Sequence, residues 1–145
     1  MEPLHFLPAD VQEQPPPGWY AATIAEACWR RSSRGNRMVY LVHALEGVSP
    51  PFHRICDCFV LEGASPRGLT YARKRLVEVY RACGLSPQAG KAIHPGDLRS
   101  HQLEVEVVHE SWKGRTRLKV TGYRPLETGS ETLGDRGTGT GGGNP

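Results

Sequence analysis

Between Trp19 and Leu61 the chain alternates apolar and polar residues in three runs, and no other stretch constrains the fold as strongly. The runs are GWYAATIAEACWRR, RMVYLVHALEG and FHRICDCFVL. A period of two is the mark of a strand with one buried face. Gly35-Asn36, between the first and second runs, favours a tight reversal at positive φ. Pro50-Pro51 ends pairing before the third. Three consecutive antiparallel strands are expected, and the rest of the chain closes, props or extends them.

Strand one is expected over 19–29, with Tyr20, Ala22 and Ile24 inward. Strand two spans 37–46. Val39, Leu41 and Leu45 share one face with His43, read as a core-edge histidine, and Tyr40, Val42 and Ala44 share the other. Strand three spans 52–61, with Ile55, Asp57 and Phe59 on one face and Arg54, Cys56, Cys58 and Val60 on the other. The pattern leaves open which of these two faces is inside. Ser65-Pro66 then reads as a helix cap and first turn. Leu69, Ala72, Leu76, Val79, Tyr80 and Cys83 follow at helical spacing, and Gly84 closes the helix. Arg73, Lys74 and Arg81 lie off that stripe, as a solvated face does. Residues 85–101 read as loop, with Leu98 plugging one end of the core. Strand four covers 102–109, with Leu103, Val105 and Val107 inward. Residues 110–114 turn, and strand five covers 115–123, with Leu118 and Val120 expected on opposite faces. The fold class is mainly β: a five-stranded OB-like barrel with one helix between strands three and four.

Three segments follow from composition. Residues 1–18 hold five prolines and form an extended lead-in, with Leu4, Phe6 and Leu7 as a short arm packing on the domain. Residues 19–124 are the barrel domain. Residues 125–145 form a flexible, Gly-rich tail expected to be disordered. Charge follows the same division. The domain holds 17 Lys/Arg against 9 Asp/Glu, while both end segments are net acidic. A basic domain with acidic ends fits a polyanion partner. The four cysteines include a CxC pair at Cys56 and Cys58, whose side chains share a face. That spacing suits neither a disulfide nor the usual zinc pair, so reduced thiols in a cytoplasmic protein are expected. The six histidines show no ligand spacing either. No nucleophile elbow, phosphate loop or paired acidic cluster appears, and an enzyme, a metal or a cofactor is not expected. No apolar run is long enough for a membrane helix.

The run Pro16-Pro17-Gly18-Trp19-Tyr20-Ala21-Ala22-Thr23-Ile24 has the form P-x-G-x-Y-x-A-x-I. It is followed by Gly35-Asn36, by a strand ending Leu45-Glu46-Gly47, by a helix ending Ala82-Cys83-Gly84 and by Val120-x-Gly122-Tyr123. Over about residues 16–125 the chain resembles a phage and prophage family long catalogued as a domain of unknown function. Its members are similar to single-stranded-DNA-binding OB proteins and tend to be encoded near recombination genes. The resemblance implies an OB barrel acting in DNA replication or recombination. The chain departs from the pattern in its helix-to-strand loop. Its tail also lacks the acidic, hydrophobic tip through which familiar single-strand binders recruit partners.

In an OB barrel the second and third strands, with the loops joining strands one–two and four–five, form the groove. Those positions carry arginine mixed with aromatic rings, which suits a phosphate chain with exposed bases. The expected contacts are Trp29, Arg30, Arg31, Arg34 and Arg37 around the first turn, Tyr40 and Arg54 on the strand floor, and Trp112, Lys113 and Arg115 at the last turn. Single-stranded DNA is the expected partner. A recombinase or annealing protein, and a homo-oligomer, are left open. The alternative is an OB module that docks such a protein without strong DNA binding.

Overall fold

The structure is a computed structural model, and it describes residues 2–6 and 14–127. Five antiparallel strands form one sheet in the order β3-β2-β1-β4-β5. They are β1 (Gly18–Arg31), β2 (Arg37–Leu45), β3 (Arg54–Val60), β4 (Gln102–Trp112) and β5 (Arg115–Arg124). One helix, α1 (Pro66–Ala82), lies between β3 and β4, followed by a 3₁₀ turn at Pro95–Leu98. The sheet curls into an OB-like half-barrel with α1 packed against both of its edges, β3 and β5.

The long first strand makes this curl possible. Gly18–Thr23 pair with β4 and Ala22–Arg31 pair with β2, so β1 belongs to both halves of the sheet. Its register with β2 steps between Ile24 and Glu26, leaving Ala25 as an extra residue. A bulge of this kind bends the strand and strengthens its twist. Beside it, Ile24 exchanges backbone hydrogen bonds with the chain entering β4, from Ser100 N at 2.8 Å and to His101 O at 2.9 Å. Leu98 is fully buried at that junction, the plug expected of it.

A second step, between Glu106 and Val107, leaves Thr121 unpaired in β5. One expectation is overturned before this step is reached: Leu118 and Val120 do not face opposite ways. They stand two apart in a regular stretch of the ladder and so share a face, Val120 buried and Leu118 packed on the same core. The bulge lets Tyr123, three residues on from Val120, turn inward. Its ring lies 6.3 Å from Phe59 of β3, bringing the two sheet edges together.

The helix has the ends its sequence specifies. Ser65 Oγ accepts from Gly68 N at 3.1 Å, and Pro66 opens the first turn. At the other end Gly84, at φ 81°, donates to Arg81 O, and Leu85 N donates to Tyr80 O. That pair of bonds satisfies the last carbonyls, and the positive φ is what glycine tolerates.

The inner face of β3 is the one carrying Ile55, Asp57 and Phe59. Asp57 is tolerated there because Arg75 of α1 reaches it. Arg75 Nη2 donates to Asp57 Oδ2 at 3.2 Å, to Tyr123 Oη at 3.0 Å and to Val120 O at 3.2 Å. One guanidinium thereby ties the helix to both sheet edges. Burial pushes the Asp57 carboxyl up to about 6, with Arg75 pulling the other way. His43 is not at the core edge but wholly buried. Neither ring nitrogen has a hydrogen-bond partner among the described residues. Burial, and secondarily the Arg75 charge, hold its pKa down at about 4.

The lead-in is held to the last hairpin. Gln14 Nε2 donates to Thr116 O, the His109 ring meets Pro15 O at 2.8 Å, and Tyr20 Oη donates to Pro16 O. The arm does not pack as expected, since Leu4 is 100% and Phe6 83% exposed. Leu7, and the tail from residue 128, lie outside the described residues.

Candidate nucleic-acid interface

Directly paired residues of an antiparallel ladder point to the same side, so the registers define the faces. The outward face of the first three strands carries Glu26, Cys28 and Arg30 on β1, Met38, Tyr40 and Val42 on β2, and Arg54, Cys56, Cys58 and Val60 on β3. At its centre the Arg30 guanidinium lies 3.9 Å from the Tyr40 ring centroid. The Tyr40 hydroxyl meets Cys56 Sγ at 3.1 Å. That hydrogen bond, with burial, pushes the phenol up to about 12, so it stays neutral. Arg54 approaches Glu26 at 3.8 Å, and both are about half exposed. A pair this open is worth about 1 kcal/mol or less, and a phosphate can compete for the arginine.

Trp29 and Arg37 belong to the other side. Because Ala25 is an extra residue, side-chain parity changes along β1. Ala27, Trp29 and Arg31 pair with Leu41, Val39 and Arg37, on the side that faces the core further down. Trp29 reaches past the barrel, where it is 36% exposed and stacked 4.4 Å from the Arg37 guanidinium. The β1–β2 turn is shorter than the sequence suggests, because β1 continues to Arg31. Arg31 braces this turn, its Nη1 donating to Gly35 O at 2.7 Å. Arg34 is exposed at its tip. The expected arginine cluster is thus divided: Arg30 on the outward face, Arg37 with Trp29 on the opposite side, Arg31 in the turn and Arg34 at the tip.

The β4–β5 turn contains only Lys113 and Gly114, both at positive φ, because β4 runs on to Trp112. Trp112 pairs with Arg115 through the backbone, and its side chain lies outside the described residues. Lys113 and Arg115 are exposed. The pairing puts the two turns at opposite ends of β1: the first leaves at Arg31, the last projects beyond Gly18. They bracket the sheet and do not form one cluster.

Sequence reasoning missed an arginine–aromatic pair on the other half of the sheet. Arg124 of β5 lies 4.2 Å from the Trp19 ring and donates to Glu104. Nothing local announces it, because the partners are joined only by the β1–β4–β5 ladder. Arg117 and Lys119 are bound to Glu110, at 2.8 and 3.0 Å. Much of the positive charge of β5 is therefore already balanced by β4.

All four cysteines are free thiols, and no group of three His, Cys, Asp or Glu side chains among the described residues is placed to hold a metal ion. No helix among them is long and apolar enough to cross a membrane. No protein-family model matches the sequence, and no curated protein shows significant similarity to it.

Proposed function

We propose that the chain binds single-stranded DNA, largely without regard to sequence, in phage-type replication or recombination. The observation that carries this reading is the Arg30–Tyr40 pair at the centre of the outward β1–β2–β3 face. A guanidinium lying on a ring is a flat cationic platform. It offers a stacking plane to any base and a charge to the adjoining phosphate, and neither interaction distinguishes one base from another. Arg54 extends the face, and Arg34, Lys113 and Arg115 mark its two ends. The likeness of residues 16–125 to a recombination-associated phage family supports the biological setting, a cytoplasmic role without catalysis. The test is fluorescence anisotropy with a labelled oligo-dT of about 30 nucleotides, long enough to exceed one OB site, against a matched duplex at two salt concentrations. Salt-sensitive binding that favours the single strand is expected. Equal binding of the duplex, or none at low salt, rejects the reading and leaves a protein-docking barrel.

A further inference from the structure

The outward face leaves one sizeable concavity unused. It is a groove of about 770 Å³ between the C-terminal half of α1 and the loop that follows it, within the size range of about 300–1,000 Å³ usual for ligand sites. Leu76, Val77, Tyr80, Leu85 and Ile93 form its apolar bed. Arg73, Arg81 and Lys91 stand exposed along its lip, opposed by Asp97. An apolar floor beneath a mainly cationic lip fits an extended segment that carries both large apolar side chains and carboxylates.

The chain contains such a segment. Residues 2–13, EPLHFLPADVQE, combine Leu4, Phe6, Leu7 and Val11 with Glu2, Asp10 and Glu13, and hold no lysine or arginine. Leu4 and Phe6 are almost fully exposed and have no place in their own core. Two large apolar side chains left in water forgo the burial that a partner surface would give them. The lead-in is anchored at Gln14–Pro16. From there twelve residues reach up to about 40 Å when extended, far enough to meet a neighbouring molecule.

We propose that the α1 groove receives the Glu2–Phe6 arm of a second copy of this chain. Phe6 and Leu4 supply the anchors for the bed, and Glu2 faces the arginines of the lip. The contact is heterologous, arm to groove. Mutual exchange closes a dimer, and passing the arm onward builds a row along a shared ligand. It requires no DNA and stands or falls separately from the DNA reading.

The experiment follows self-association of the full chain by sedimentation velocity without DNA. In parallel, a labelled synthetic peptide of residues 2–13 is titrated into full chain carrying Leu4→Ser and Phe6→Ser. The parent is expected to associate with rising concentration, and the arm variant to stay monomeric while binding the peptide. Arg73→Glu with Arg81→Glu, both at exposed positions, is expected to weaken peptide binding about tenfold or more. Unchanged thermal unfolding shows that the groove variant is folded. A parent that stays monomeric to its solubility limit overturns the proposal, even where the peptide binds, because the arm would then be satisfied within its own copy. Peptide binding that ignores the charge reversal, or no peptide binding at all, overturns it equally.

Discussion

Tyr40 links packing to the proposed activity most directly. Its ring supports Arg30, and its hydroxyl meets Cys56 Sγ. Tyr40→Phe keeps the ring and is expected to bind oligo-dT like the parent. Tyr40→Ala removes the platform and should weaken binding by about 1–3 kcal/mol, the worth of one base stack. Anisotropy titrations of the two variants decide it, and parental affinity in the alanine variant would remove Tyr40 from the interface. His43 makes a prediction of another kind. A histidine with folded pKa about 4, against 6.5 unfolded, must give up stability as pH falls through that window, because the unfolded chain takes the proton first. Asp57 works oppositely: its raised folded value, about 6, gives back stability as pH falls from 6 toward 4. In the parent the two slopes offset. His43→Leu removes the histidine slope and two unpartnered nitrogens. Relative to the parent, the variant should gain on the order of 3 kcal/mol between pH 7 and pH 4, read by urea unfolding at both. A difference independent of pH would show that the histidine does not titrate as its burial dictates.

The elements differ in how far sequence alone reveals them. The helix is legible because its signals are local: Ser65 and Pro66 at one end, Gly84 at the other, an apolar stripe between. Those caps predict that Ser65→Ala and Gly84→Ala each cost about 1 kcal/mol in chemical denaturation, the first through a lost N-cap bond, the second through a left-handed φ. Arg75 was legible in principle, since it stands three residues after Ala72 and four before Val79, on the inward side of the helix. Tracing the stripe by its apolar residues alone passes over it. The two bulges were not legible. Ala25 and Thr121 are extra residues only because the sheet must curl until β3 and β5 meet under α1, and that demand is tertiary. For the candidate site the consequence is large. Without the step at Ala25 the side-chain parity of Tyr20, Ala22 and Ile24 would continue, and Trp29 and Arg30 would exchange faces. Sequence therefore located the basic, aromatic turn correctly but could not tell which of its residues look outward together.

At the scale of the molecule, charge decides how the proposed interface should answer to salt. The barrel is rich in cations, but three of those on β5 are held: Arg117 and Lys119 by Glu110, Arg124 by Glu104. A single strand crossing from the β1–β2 turn toward the β4–β5 turn meets Arg34, Arg30 and Arg54 before it reaches Lys113 and Arg115. If four or five of these neutralise phosphates, the slope of log affinity against log salt is about −3 to −3.5, since each phosphate on a single strand contributes about 0.7. Arg34→Ala, at the exposed tip, should make that slope shallower by about 0.7. Lys119→Ala should change it far less, because an ammonium held by Glu110 neutralises no phosphate and so releases no counterion from the strand. Titrations of the two variants across a salt series separate the possibilities. A parent slope near zero would mean that this face meets its partner through apolar contact. Equal effects of Arg34 and Lys119 would mean that the strand runs over β4–β5, where Trp19 and Arg124 form another stacked pair.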